Sequence, residues 1–98
     1  MPQITFAWDE KKNEENQRKH GISFDEAKTV FVDEHALLTS DPDHSSDEQR
    51  FVLLGMSAAL RTVVVCHCYR DEDEVIRIFS ARKATRKEQN IYKRGRTK

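Results

Sequence analysis

The segment that decides the fold is residues 75–88, VIRIFSARKATRKE. Its first part alternates. Ile76, Ile78 and Ser80 fall on one face of an extended chain, and Val75, Arg77 and Phe79 on the other, the pattern of a strand with one buried side. The period then changes. Thr85 followed by Glu88 has capping-box spacing, so a basic helix is expected from about Arg86 to Lys93, before a frayed tail. Arg77 is expected to emerge on the sheet face that the helices leave free.

Upstream, Arg50 to Ser57 and Arg61 to Arg70 are strand-like runs joined by short connections at 58–60 and 71–74. With 75–81 they read as an antiparallel meander. Ala36 to Thr39 allows one more brief strand, and Ile4, Phe6 and Trp8 alternate with polar or small neighbours in another. Between these lie two helices. Asp9 caps Glu10 to His20, a strongly helix-favouring but almost wholly polar segment that Gly21 stops, and this helix is expected to face mostly solvent. Ser23 and Glu26 form another capping box before Ala27, Val30 and Phe31, a short amphipathic helix ending near Asp33. Ser40 to Gln49, with Pro42 and His44, is a polar loop. The order gives one α+β domain over 1–98: a small antiparallel sheet of three to five strands with helices packed on one face.

A chain of 98 residues excludes a multidomain enzyme. It has no apolar run near the roughly 20 residues that span a bilayer and no signal-peptide pattern, so a soluble, cytoplasmic protein with no membrane partner is expected. Its zero net charge conceals a polarity. Residues 1–74 hold eight Lys or Arg against sixteen Asp or Glu, whereas residues 75–98 hold nine against the single Glu88. Such a basic segment is a polyanion footprint, with nucleic acid its leading partner, unless the two halves neutralise each other in the fold.

The densest cluster is Arg77, Arg82, Lys83, Arg86 and Lys87, over a strand end, a turn and a first helical turn. Guanidinium forks bind phosphate oxygens in bidentate fashion, and the N–H groups of the helix start point the same way. Cleavage of RNA asks little more, because the 2′-hydroxyl is the nucleophile and the protein supplies positioning, positive charge and one acid or base. His44 is the best-placed histidine, in the loop leading to Arg50; His20 reads as a favourable cation at a helix C-terminus, and His67 as a packed strand residue. No metal site is expected. Cys66 and Cys68 share one strand face while His67 points away, no second ligand cluster completes a tetrahedron, and neighbouring thiols in one strand are poorly placed for a disulfide. No glycine loop to cradle a nucleotide cofactor is present either, with only Gly21, Gly55 and Gly95 in the chain.

Several ordered motifs carry a family resemblance. They are Phe6-Ala7-Trp8-Asp9 with Lys12 and Asn16, the Arg18-Lys19-His20-Gly21-Ile22-Ser23-Phe24 turn, and Glu26-Ala27 before Val30-Phe31. In the second half come Asp43-His44-Ser45, Glu48 and Arg50, Gly55 and Ser57, then Ile76-Arg77-Ile78-Phe79-Ser80-Ala81-Arg82, Ala84-Thr85, Arg86, Glu88 and Tyr92. Together they resemble the BrnT toxin family over nearly the whole chain. The resemblance implies a RelE-like microbial RNase fold and a type II toxin that cleaves mRNA without metal or cofactor. It implies a BrnA-like antitoxin, a ribbon-helix-helix protein that forms a hetero-oligomer with the toxin and binds operator DNA. Arg50, Arg77, Arg82 and Arg86 match motif positions, with His44, Glu48 and Glu88 as further members. The roles expected are Arg77 and Arg82 on the scissile phosphate, Arg50 and Arg86 on flanking phosphates with Lys83, Lys87 and Glu88 beside them, and His44 or Glu48 moving protons. Two positions depart from the pattern: Leu60 stands where a turn glycine is common, so a wider or reshaped hairpin is expected, and the Cys66-His67-Cys68 strand is less aliphatic than its counterparts. Two other readings share these residues, a module that binds RNA or a partner without cutting and a degenerate toxin acting only in operon regulation.

Overall fold

In the computed structural model, which describes residues 4–41 and 49–96, the chain opens with strand β1 (Thr5–Ala7), helix α1 (Glu10–His20) and helix α2 (Phe24–Thr29), the last running on as a 3-10 turn over Val30–Val32. Strands β2 (Leu37–Asp41), β3 (Arg50–Met56), β4 (Thr62–Arg70) and β5 (Val75–Lys83) follow, and helix α3 (Arg86–Arg96) closes the chain. The five strands form one sheet in the order β1-β5-β4-β3-β2. The meander β2 to β5 is antiparallel, as expected, while β1 pairs with β5 in parallel. No hairpin constrains β1, because two helices separate it from the rest of the sheet. Among the described residues no helix is long and apolar enough to cross a membrane.

Local chemistry accounts for the boundaries. The Asp9 carboxylate accepts from the Lys11 N–H at the start of α1, and Gly21 ends it at φ +72°, its N–H on the Gln17 carbonyl. Ser23 caps α2 through the Glu26 N–H at 3.1 Å. The β3–β4 hairpin keeps a tight turn, closed by the Ser57 N–H on the Arg61 carbonyl, and Leu60 itself takes the left-handed conformation at φ +63°. The expected widening is therefore replaced by local strain in an L residue.

The core lies between the sheet and α2. Ile22, Phe24, Ala27 and Val30 pack on Leu53, Val63, Val65, Ile76, Ile78 and Ala81, with Phe6, Trp8 and Phe31 closing the β1 side. Gly55 is required where β3 passes the 3-10 turn, since a Cβ there would sit 2.9 Å from both Ala36 Cβ and Val30 Cγ1. Beside it, the Asp33 carboxylate accepts from the Met56 N–H, the His35 N–H and the Tyr92 hydroxyl, so one acid ties β3 and α3 to the turn. Burial acts to raise its pKa, but these three donors hold it below the usual carboxylate value. On the opposite face the register aligns Leu37, Leu54 and Val64, and α3 reaches that row where Gly95 meets Leu37.

Helix α1 faces mostly solvent, as expected, but two of its polar residues turn inward. Asn13 and Asn16 are buried, and their amides do what an apolar stripe usually does. Asn13 Oδ1 accepts from the Phe24 N–H at 2.8 Å. Asn16 Nδ2 donates to the carbonyls of Ile22 and Ala81, and its Oδ1 accepts from the Ala81 N–H. The side-chain amide thus pairs with the main chain of β5 beyond the point where the short β1 stops, satisfying backbone groups that would otherwise be orphaned.

His67, 0% exposed, packs within its strand as expected, edge-on to Phe31 at 4.8 Å and Tyr69 at 5.2 Å. A carbonyl only accepts, so Nδ1 carries the proton toward Val65 O and Nε2 accepts from the Tyr69 hydroxyl. Burial lowers its pKa from 6.5. A lowered folded-state pKa means that stability is complete above the unfolded value and drains away as pH falls below it. Urea unfolding should accordingly show a stability loss between about pH 7 and pH 5.5, and His67→Leu should remove most of that slope. Leu60, 80% exposed, has little packing to lose. Leu60→Gly is expected to raise stability by about 0.5–1 kcal/mol in the same assay.

Candidate active site

Strict alternation cannot put Arg77 and Arg82 on one side of a strand, because they are an odd number of residues apart. The register shows how β5 does so. Cys66 opposes Ser80 and His67 opposes Ile78, so β5 carries an extra residue at Phe79. Before the bulge Arg77 lies opposite Cys68; after it Ser80 and Arg82 lie opposite Cys66 and Val64. Arg77, Ser80 and Arg82 therefore all face away from the core, whereas alternation alone would have turned Ser80 and Arg82 toward it. Cys66 and Cys68 share this face, as expected, and neither forms a disulfide.

Across the sheet, Arg50 is in register with Cys68 and Arg77. Its side chain spans β4, and the guanidinium stops 4.1 Å from the centre of the Phe79 ring, a cation–π contact. Arg50 and Phe79 with Ser80 form one wall of a cleft of about 360 Å³, whose other wall is the α1 face bearing Lys12, Lys19 and His20. Arg77, Lys12 and Lys19 form no hydrogen bond or ion pair among the described residues. The cleft therefore carries cations on both walls, Arg50 on one and Lys12 and Lys19 on the other, with the Glu15 carboxylate between the two lysines.

Arg82 is engaged. Its two terminal nitrogens donate to the two oxygens of Glu88 at 2.8 and 3.0 Å, a bidentate fork. The expected capping box is present as well, with the Thr85 N–H on Glu88 and the Glu88 N–H on the Thr85 hydroxyl. The bond from Arg82, opposed by burial and helped by the Thr85 N–H, brings Glu88 down to about 2. Glu88 is thus better described as the anchor of Arg82 than as a group free to meet RNA.

The other expected site residues divide. Arg86 and Lys87 are exposed on the first turn of α3, after the short link that follows β5. Lys83 lies opposite Val63 and so on the core side of the sheet; the bulge that turns Arg82 outward turns Lys83 away from the cluster. His44 and Glu48 lie outside the described residues. Lys12, Lys19 and Phe79 were not expected here, and His20 was expected only as a helix cation; the one available signal was Lys12 and Lys19 falling on the same side of α1 as Asn16. Arg61 takes no part, being held by Glu26 and the Gly21 carbonyl. Among the described residues no three His, Cys, Asp or Glu side chains converge as metal ligands.

The family model for the ribonuclease toxin BrnT of type II toxin–antitoxin systems matches residues 8–88. The chain belongs to this family. The match runs from Trp8 to Glu88 and so takes in both walls of the cleft and the Arg82 fork. The structure is similar to the 1.1 Å crystal structure of the Brucella abortus ribonuclease toxin BrnT, with a TM-score of 0.62 at 21% identity over 85% of this chain and 99% of that one. No curated protein matches the sequence. As a type II toxin it has RNA as its target and an antitoxin as its partner.

The fork makes a direct prediction. An NMR titration of the side-chain carboxyls should place Glu88 near 2, and Arg82→Ala should return it most of the way to 4.5. With its pKa depressed, the pair contributes stability above about pH 4.5 and loses it as pH falls toward 2.

Proposed function

We propose that this BrnT-family toxin is a metal-independent endoribonuclease that cleaves mRNA on the outward face of β5, between α1 and α3. The observation that carries the reading is the bulge, which sets Arg77 and Arg82 on one face with Arg50 beside them. Arg77 and Arg82 hold the scissile phosphate, their positive charge aimed at the oxygens on which charge develops as the 2′-hydroxyl attacks. Glu88 keeps the Arg82 fork at one orientation, so less freedom is lost when the phosphate arrives. Arg50 and Arg86 hold flanking phosphates, with Lys87 beyond them. His20, in the cleft, joins His44 and Glu48 as a candidate for moving the proton of the 2′-hydroxyl or of the leaving oxygen.

The family's toxin–antitoxin character supports neutralisation by a BrnA-like ribbon-helix-helix antitoxin, in a hetero-oligomer that binds operator DNA and acts in the cytoplasm. The antitoxin is proposed to cover the same cationic face.

Purified protein incubated with mRNA in excess EDTA should produce cleaved fragments, and Arg77→Ala, still folded by circular dichroism, should cut about 10²- to 10³-fold more slowly. An Arg77→Ala variant that cuts at the wild-type rate would sink the site assignment. RNA bound but left intact by the wild type would leave only a binding module.

A further inference from the structure

Among the described residues, the cleft between α1 and the β5 bulge holds one acidic side chain, Glu15, beside Lys12, Lys19, His20 and Arg50. Lys12, Glu15 and Lys19 succeed one another at spacings of three and four, so they stand on one face of α1. Glu15 is exposed and forms no hydrogen bond or ion pair among the described residues. Its neighbour Asn16 is fully committed to Ile22 and Ala81. A phosphate cleft gains nothing from an unpaired carboxylate, which repels the backbone it is meant to hold. The other wall is flat: one side of the Arg50 guanidinium covers Phe79, and the side turned away from the ring is a second stacking surface.

We propose that this cleft is a nucleobase subsite of the RNA site, a proposal that rests on the ribonuclease reading above. A base turned out of the single strand stacks on the Arg50–Phe79 pair, and the Glu15 carboxylate accepts hydrogen bonds from its Watson–Crick edge. The carboxylate selects guanine, because guanine alone presents two parallel donors on that edge, N1–H and the exocyclic amine, and so matches both carboxylate oxygens. Adenine, cytosine and uracil each offer one. The volume of about 360 Å³ lies in the range of clefts that take small ligands. While the face of Arg50 stacks, its N–H edge remains able to reach the adjoining phosphate.

The test is to digest a randomised single-stranded RNA pool with the full-length protein and sequence the cut ends. Wild type should enrich guanine about fivefold or more at one fixed position relative to the cut, the low end of discrimination by a bidentate base contact. Glu15→Ala, an exposed substitution whose folding circular dichroism checks, should flatten that preference below about twofold among the cuts it makes. A Glu15→Ala profile identical to wild type would overturn the subsite, as would a wild type with no base preference at any fixed position. A wild type that cuts no RNA would overturn the ribonuclease reading instead. The subsite is then decided by NMR titration with guanosine monophosphate, where shifts at Glu15 and Phe79 that cytidine monophosphate does not produce support it and their absence refutes it.

Discussion

The outward face of this protein depends on one inserted residue. The extra residue at Phe79 reverses the parity of β5 midway, so that a strand whose first half buries Ile76 and Ile78 presents Ser80 and Arg82 beside Arg77 while still burying Ala81. A regular strand would have to choose between core and arginines: with Arg77 outward, Arg82 would turn to the core and Ala81 to solvent. The bulge removes that conflict, at the cost of a locally disrupted ladder. It also widens the strand where Phe79 stands under Arg50, and thereby supplies the flat wall of the cleft.

The other wall comes from a helix held by amides instead of hydrocarbon. Asn13 and Asn16 dock α1 through hydrogen bonds to main-chain groups of Phe24, Ile22 and Ala81. Amide pairing fixes distance and rotation together, whereas an apolar stripe tolerates some sliding. The flanking Lys12, Glu15 and Lys19 are thereby set at a fixed rotation over the bulge. At the far end of β5, Glu88 holds Arg82 and with Thr85 starts α3, whose Tyr92 is in turn held by Asp33. The cationic face is framed by polar contacts on both sides.

Periodicity and capping were readable one residue type at a time. The alternation of Ile76 and Ile78, the Ser23–Glu26 and Thr85–Glu88 boxes and the Gly21 stop placed the elements, and the family motifs pointed to the arginines. What stayed hidden was relational. No glycine marks the bulge, so Phe79 and Ser80 read as two more steps of an unbroken alternation; Lys83 groups with Arg82 in the sequence because the strand is expected to end at Ala81, whereas β5 runs on to Lys83 and sets the two on opposite faces. Asn13 and Asn16 sit in an otherwise polar helix, where a polar residue at a buried position gives no contrast. The parallel pairing of β1 with β5 joins segments about seventy residues apart, which no local pattern reports.

The way Asn16 meets Ala81 bears on how this chain behaves in crowded solution. Past the three residues paired with β1, the outer rim of β5 would be a row of unsatisfied amides, a template onto which a strand from another molecule could zip. One carboxamide, fixed on a helix, occupies the donor and the acceptor of Ala81 and leaves an incoming strand neither room nor partners there. The same side chain that orients a wall of the cleft thereby guards a toxin monomer against growing into a continuous sheet with its own copies.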